Sequence, residues 1–258
     1  MCSLKPGPRC RPMRGTPRRT IPRRNLTRTR ASVQARRANP MPHPMTPSLP
    51  DPRTRALLLG AAATLAVLAW SGAAPYDRLT WLMEVLPVMI ALPLMMITHR
   101  RYPLTSLLYT GIFVHGVVLM VGGAYTYARV PLGFQLVDWF GLSRNPYDKI
   151  GHFMQGFVPA LVAREILLRG AYVRGARMLA FLVISVVLAI SATYELIEWA
   201  AALAMGQGAD EFLGTQGDMW DTQSDMFLAL IGAVTALALF SRLHDRQLRA
   251  LGVLPASS

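Results

Sequence analysis

Six runs of apolar residues follow one another along the chain, separated by shorter polar segments. Each run has about the 20 residues that a helix needs to cross the roughly 30 Å hydrocarbon layer of a bilayer. We therefore predict an all-α protein, a polytopic membrane bundle of about six transmembrane helices. The runs cover residues 56–74, 80–98, 104–126, 148–168, 178–203 and 224–243.

Basic residues in the connections predict the orientation of the bundle. They follow the second run at Arg100 and Arg101, follow the fourth run between Arg169 and Arg177, and recur after the sixth run. Because Lys and Arg in short loops favour the cytoplasmic side, we expect both termini in the cytoplasm. Indole favours the membrane interface, and the tryptophans lie at or near the outer ends: Trp70, Trp81, Trp139, Trp199 and Trp220.

The first 55 residues differ from the rest in composition. They hold 14 of the 27 Lys and Arg residues, 11 of the 19 prolines and a single acid, Asp51. We predict a disordered basic tail, and a translation start at Met41 or Met45 is an equal alternative. The remainder balances 13 basic against 13 acidic residues, so the net charge of +13 does not indicate nucleic acid. The predicted domains are the tail (1–55), the transmembrane domain (56–243) and a short cytoplasmic tail (244–258).

Ionisable and amide side chains in or beside the apolar runs mark a candidate site. Charged groups near lipid are costly and persist mainly where they pair or serve a function. In the predicted orientation these groups gather at the outer, non-cytoplasmic face. The candidate catalytic residues are His152, Glu195 and Glu198; the candidate metal ligands are Asp148, His152, Glu198, Asp221 and Asp225; the candidate substrate-binding residues are Gln155, Gln216, Asp218 and Gln223.

Two chemical interpretations of this group remain open. Asp148 and His152 are four residues apart and Glu195 and Glu198 three apart, so each pair shares a helix face. One imidazole with several carboxylates suits a hard or borderline divalent metal ion, with Asp148 orienting the ring of His152. Alternatively, Glu195 and Glu198 share a proton, and His152 relays protons or acts as a general base.

Helix capping is a structural alternative for part of the signal. Asn145, followed by proline, reads as an N-cap and makes Asp148 the third helical residue, which the helix dipole favours. The segment Thr222–Asp225 fits a capping box. Capping does not explain the two glutamates near the end of the fifth run. At the inner end of the fourth run, Arg164 and Glu165 are expected to snorkel or to pair with neighbours.

Several motifs carry a family resemblance. They are YDKIGHFMQGFVPA from Tyr147, REILLR from Arg164, YELIEW from Tyr194 and DEFLGTQGDMWDTQSDM from Asp210. Together they resemble the YjdF-type bacterial inner-membrane family, whose function is undetermined, over roughly 55–243. The resemblance implies a multi-pass protein of the cell inner (plasma) membrane. More distantly, the order of Asp148, His152, a glutamate and Asp225 is similar to VanZ-like membrane proteins, which are associated with glycopeptide resistance.

Three classes of function remain open at this point. The first is a membrane-embedded enzyme that acts on lipid or lipid-linked headgroups. The second is a transporter coupled to protons or cations, and the third is a structural or assembly factor whose polar network holds the helices together. The expected partners are the lipid bilayer and a lipid headgroup or small cation, with no nucleic acid.

Overall fold

The computed structural model describes residues 51–205 and 215–255, and every regular element in these ranges is helical, which confirms the predicted fold class. All but five residues of the predicted tail lie outside the described ranges, as do residues 206–214. The helices are α1 (Pro52–Ala73), α2 (Arg78–Thr98), α3 (Ser106–Tyr125), α4 (Pro131–Phe140), α5 (Tyr147–Arg169), α6 (Ala176–Met205), α7 (Asp221–Thr235) and α8 (Ser241–Ala250), with a π-helical turn (Ala236–Phe240) joining the last two.

Five helical stretches in the described residues are long and apolar enough to cross a membrane. They are α1, α2, α3, α6 up to Ala204, and the continuous stretch Asp221–Ala250. Helix α5 has 23 residues, a comparable length, but it carries charged side chains near both ends. Its neighbours α3, α6 and α7 pack around it and bury much of its surface. A sixth span at α5 and the cytoplasmic location of both termini remain predictions.

The backbones of α5 and α7 touch each other at two glycines. A Cβ atom at Gly156 would lie 1.9 Å from the carbonyl oxygen of Ala229, and one at Gly232 would lie 2.1 Å from that of Phe153. Small residues allow such an approach between membrane helices. The contact holds the N-terminal ends of α5 and α7 side by side, and the candidate site lies at these ends.

A short helix, α4, lies where a loop was predicted before the fourth run. It begins with Pro131, whose backbone nitrogen has no hydrogen to donate and so loses nothing at a helix start. Gly141, with φ of 63°, caps its C-terminal end. Asn145 anchors the following turn, because its Nδ2 donates to the carbonyl oxygen of Val130 at 3.0 Å and its Oδ1 accepts from the backbone nitrogen of Tyr147 at 3.0 Å. This turn leads the chain directly into α5.

Both capping predictions need correction. The N-cap of α5 is Pro146 rather than Asn145, so Asp148 is the second helical residue instead of the third, although it does lie in the first turn. Helix α7 begins at Asp221, before the predicted cap residue Thr222, and no side chain caps its first turn. The capping box is therefore wrong. Asp221 instead makes ion pairs to cations from the segment around α5, and these hold the start of α7 in place.

A second buried polar network lies at the opposite end of α5. The fully buried Glu165 accepts a hydrogen bond from Thr105 Oγ1 at 2.9 Å, and its carboxylate lies 2.9 Å from His244 Nε2 and 2.5 Å from Arg169 Nη2. Arg164 pairs with Asp245 at 2.7 Å. Pairing, one of the two alternatives predicted for Arg164 and Glu165, is therefore confirmed. The network ties α8, most of which belongs to the predicted C-terminal tail, to α5.

Candidate functional site

The N-terminal ends of α5 and α7 meet the C-terminal half of α6 at one end of the bundle. Their ionisable side chains form a single group, which we call the His152 cluster. Its members, all buried or half-buried, are Asp148, Lys149 and His152 from α5, Glu195 from α6, and Asp221 and Asp225 from α7.

His152 lies at the centre of the cluster. Its Nε2 is 3.4 Å from Asp148 Oδ1 and 3.7 Å from Asp225 Oδ2. Its Nδ1 is 3.2 Å from Gln155 Oε1 and 3.8 Å from Glu195 Oε1. An amide oxygen only accepts hydrogen bonds, so in the neutral ring this contact is a hydrogen bond when the proton is on Nδ1. The lone pair of Nε2 then faces the two aspartates.

Lys149 and Arg144 neutralise the start of α7. The ammonium of Lys149 is 2.5 Å from Asp225 Oδ1 and 2.7 Å from Asp221 Oδ1. The guanidinium of Arg144 is 2.8 Å from Asp221 and 3.0 Å from Asp218. Neither cation was predicted to belong to the site. The excess of acids at this end was the available signal, because buried carboxylates need compensating positive charge.

Glu84 on α2 forms an outer layer beside the cluster. Its buried carboxylate accepts a hydrogen bond from the hydroxyl of Tyr194 at 2.8 Å. The ring of Tyr194 lies edge-on to that of His152, with their centroids 6.5 Å apart. Tyr194 therefore connects α2 to the centre of the site through α6. No candidate role in the sequence analysis included this pair.

Some buried polar atoms of the site lack hydrogen-bond partners within the described part of the chain. They include Asp148 Oδ2, Glu195 Oε1 and, one turn before Glu195 on α6, Ser191 Oγ. The side chain of Glu195 is only 8% exposed. A buried polar atom left unpaired costs about 1–3 kcal/mol, so native proteins usually satisfy such atoms. A water molecule or a bound ligand would satisfy these atoms.

Comparison with known proteins identifies the family. The family described as predicted membrane protein (DUF2238) matches residues 56–246. The chain belongs to this family. It is similar to the inner membrane protein YjdF of Escherichia coli (strain K12), with 65% identity over 199 residues that cover 77% of this chain and 95% of the relative. No solved structure matches the chain.

Membership of the DUF2238 family agrees with the predicted location. The relative is an inner membrane protein, and the described residues contain five helical stretches suited to crossing a membrane. This DUF2238 protein is thus a multi-pass protein of the inner membrane. The resemblance to VanZ-like proteins stays a prediction.

Part of the predicted ligand set in this DUF2238 protein converges on one point. Asp148, His152 and Asp225 each offer one ligand atom, and these atoms all lie within 4.8 Å of one another. Metal–ligand distances of about 2.0–2.2 Å are compatible with the separations of 3.4 and 3.7 Å from His152 Nε2 to the two carboxylates. Glu198 and Asp221, the other predicted ligands, do not belong to this three-residue group.

The remaining predicted site residues occupy different positions. Gln155 contacts His152, and Glu198 lies half-buried one turn after Glu195 on α6. Gln216 makes two hydrogen bonds with the backbone of Asn145, at 3.0 and 3.1 Å, and so shapes the turn before α5. Asp218 pairs with Arg144, and Gln223 is exposed on α7. The catalytic and binding roles of all these residues stay predictions.

Proposed function

We propose that the His152 cluster binds a divalent cation in a membrane-embedded enzyme that acts on lipid or lipid-linked headgroups at the non-cytoplasmic face. The observation that supports this proposal is the group formed by Asp148, His152 and Asp225, whose ligand atoms converge within 4.8 Å. On the Nδ1 side of the ring, Glu195 Oε1 lies 3.8 Å from His152 and has no hydrogen-bond partner in the described part of the chain, which supports a further polar ligand there, a water molecule or part of a substrate.

The hydrogen bonds around the group suit metal binding. A proton on Nδ1 of His152, donated to Gln155, would leave Nε2 available as a ligand, as in many metal sites where a second partner fixes the ring. Lys149 contacts Oδ1 of Asp225, whereas Oδ2 faces His152. A cation bound between Nε2 and the two carboxylates would therefore leave the ion pair of Lys149 in place.

The charge of the site also favours a cation. Three carboxylates lie near His152, those of Asp148, Asp225 and Glu195. The positive charge of the nearby Lys149 is shared among the acids, because Lys149 also forms an ion pair with Asp221. Closely spaced carboxylates repel one another unless a proton or a metal ion compensates them. A bound divalent ion would supply Lewis-acid stabilisation of a phosphate oxygen or activation of a water molecule. In this proposal Glu195, on the Nδ1 side of His152, accepts a proton, with Glu198 one turn further along α6.

One observation favours a proton- or cation-coupled transporter as a second candidate. Ser191 is fully buried on α6 one turn deeper than Glu195, and its hydroxyl has no partner in the described part of the chain. On α3, His115 Nε2 is likewise buried without a described partner. Buried polar and ionisable side chains inside a membrane bundle often mark ion pathways. Gradient-dependent uptake into proteoliposomes that is lost in Glu195→Gln and reduced in Ser191→Ala would favour transport over the enzyme.

Elemental analysis of the detergent-purified protein tests the metal site. We expect one divalent metal ion per chain in the wild type and in His99→Ala, which removes a histidine at the end of α2, outside the cluster. The ion should be lost in His152→Ala and Asp225→Asn, with Mn²⁺ titration as the second measurement. Equal metal content in all four proteins, or no binding in any of them, would contradict the proposal.

Turnover of lipid tests the enzymatic part separately. The purified protein is incubated with a total lipid extract of bacterial inner membrane, and the products are identified by mass spectrometry. We expect Glu195→Gln to retain metal but to lose turnover, because its side chain is not one of the three converging ligands. Turnover that persists unchanged in Glu195→Gln would remove this residue from the reaction.

A further inference from the structure

One face of α6 carries polar side chains beside the His152 cluster. Spacings of three and four residues place them on the same side of the helix: Ser191, Tyr194, Glu195 and Glu198. Tyr194 is bonded to Glu84, and Glu195 forms a hydrogen bond with Thr222 of α7. Within the described part of the chain, Ser191 Oγ and the oxygen Oε1 of Glu195 are buried without a hydrogen-bond partner.

The hydroxyl of Ser191 differs from that of its neighbour Thr193. A helical serine or threonine can donate to the carbonyl oxygen one turn earlier, as Thr193 does to Ala189 at 2.7 Å. Ser191 is fully buried, and its hydroxyl forms no such bond to the described residues. Glu195 is one turn further along α6, where the two Cβ atoms are about 5–6 Å apart. An ion between the two side chains could therefore contact both unpartnered oxygens.

The charge on this side of His152 favours a cation. Glu198 interacts electrostatically with both Glu195 and Glu84 of α2. Across residues 51–205 and 215–255, no lysine or arginine forms an ion pair with any of these three glutamates. Lys149 and Arg144 pair instead with aspartates of α5 and of the segment around the start of α7: Asp148, Asp218, Asp221 and Asp225. Carboxylates that lie close together in a buried site need compensating positive charge.

The ligand atoms indicate which kind of cation. Carboxylate and hydroxyl oxygens suit hard cations. In the described ranges, the one converging group of His, Asp or Glu ligands is the group around His152 Nε2, so no second set of carboxylates surrounds Glu195 to hold a divalent ion. A single carboxylate with a hydroxyl balances one positive charge. The complete burial of Ser191 favours a small ion over an organic cation.

We propose that Ser191 Oγ and Glu195 Oε1 bind one Na⁺ ion beside α6, at a site separate from the divalent position at His152 Nε2. Water molecules supply the remaining ligands of the ion. The proposal rests on the second candidate function, because it names the ion to which a transporter would couple. Binding of Na⁺ itself requires neither the divalent ion nor uptake, so each can be measured separately.

Thermal unfolding of the detergent-purified protein in NaCl, KCl or choline chloride at equal ionic strength tests the site. We expect Na⁺ at roughly ten times its Kd to raise the melting temperature of the wild type by about 3–6 °C, and K⁺ to act as choline does. Ser191→Ala and Glu195→Gln should lack this response. The control Thr193→Ala removes a hydroxyl that is already bonded to Ala189, and it should respond as the wild type does. In choline, Ser191→Ala should melt no lower than the wild type, because it removes an unpaired buried hydroxyl.

Retention of radioactive Na⁺, measured beside Mn²⁺ binding, separates this proposal from the previous ones. We expect Asp225→Asn to keep Na⁺ and lose Mn²⁺, and Ser191→Ala to keep Mn²⁺ and lose Na⁺. Equal effects of the three salts, or a Na⁺ response in Ser191→Ala equal to that of the wild type, would overturn the Na⁺ site, and the buried oxygens would then hold water or a proton. Na⁺ binding without Mn²⁺ binding in the wild type would support this site and overturn the divalent one. Na⁺ binding without gradient-dependent uptake into proteoliposomes would support the site and overturn the transporter.

Discussion

The close glycine contact between α5 and α7 predicts that one added methyl group lowers both the stability of the protein and the metal affinity of the His152 cluster. In Gly232→Ala, the new methyl group would lie 2.1 Å from the carbonyl oxygen of Phe153. Real Cβ atoms essentially never approach another heavy atom more closely than 3.0 Å. The two helices must therefore separate by roughly 0.9 Å, the difference between these distances, because a backbone carbonyl cannot rotate away as a flexible side chain can.

The separation should affect both stability and the site. Overpacking of a close helix contact costs about 1–3 kcal/mol. Asp225 lies two turns before Gly232 on α7, so the same movement lengthens its contact of 2.5 Å with Lys149 and its separation of 3.7 Å from His152. We expect Gly232→Ala to unfold at lower temperature and to bind metal less tightly than the wild type.

Thermal unfolding in detergent, with intrinsic fluorescence or circular dichroism as the readout, measures the first effect, and Mn²⁺ titration measures the second. Gly60→Ala on α1 is the matched control, because a Cβ there would have no other atom within 4 Å. Alanine is the better helix former, so this control should be neutral or stabilising. A Gly232→Ala protein as stable as Gly60→Ala would refute the close contact between α5 and α7.

Three further substitutions test separate parts of the fold. Asn145→Ala removes a buried side chain with two backbone hydrogen bonds, and we expect a loss of about 1–3 kcal/mol in the free energy of unfolding. Glu165→Gln leaves Arg169 and His244 without their anionic partner, and we expect the free energy of unfolding to fall by about 3–5 kcal/mol. The metal content should stay normal, because the His152 cluster lies about 20 Å away along α5. The hydrogen bond from Thr80 lowers the pKa of Asp77 at the start of α2; this contribution to stability is therefore present at neutral pH and is lost as pH falls through that lowered pKa. In Asp77→Asn, whose amide caps at any pH, melting temperatures measured between neutral and acidic pH should lack that loss.

The long helices were predictable because a bilayer leaves an apolar chain few alternatives. The second run was expected at 80–98, and α2 covers Arg78–Thr98. An unsatisfied backbone is costly in hydrocarbon, so a run of this length must form a helix. Helix α4 was missed because its 10 residues are too few to span the membrane and too mixed in polarity to suggest a separate element.

The partners within the polar groups could not be predicted in the same way. Lys149 and Asp225 are 76 residues apart, and Glu165 and His244 are 79 residues apart. Which side chains meet depends on how two helix faces are rotated towards each other. Here the rotation follows from the backbone contact at Gly156, which places the first turns of α5 and α7 in register. Spacing within one helix correctly indicated a shared face for Asp148 and His152.

Replacement of Lys149 distinguishes a metal site from an ordinary network of ion pairs. If the cluster only joins helices, Lys149 is its main cation, because it contacts both Asp221 and Asp225. Its removal should then destabilise the protein, and added metal should not restore it. If the cluster holds a divalent ion, the ammonium and the ion repel each other, because Lys149 contacts one oxygen of Asp225 while the other oxygen faces the metal position.

We therefore expect Lys149→Met to bind Mn²⁺ about tenfold more tightly than the wild type, a change of about 1.4 kcal/mol. Two unit charges 4 Å apart interact by about 4 kcal/mol at an effective dielectric constant of 20, so loss of the ammonium can supply this gain even after partial screening. The variant should also melt at a lower temperature without metal and regain stability as metal is added, because an ion that binds the folded state stabilises it. The double variant Lys149→Met with His152→Ala keeps the loss of the ion pair but lacks the central ligand. Rescue by metal in the double variant, or weaker binding in the single one, would mean that the three converging ligand atoms are not where the cation binds.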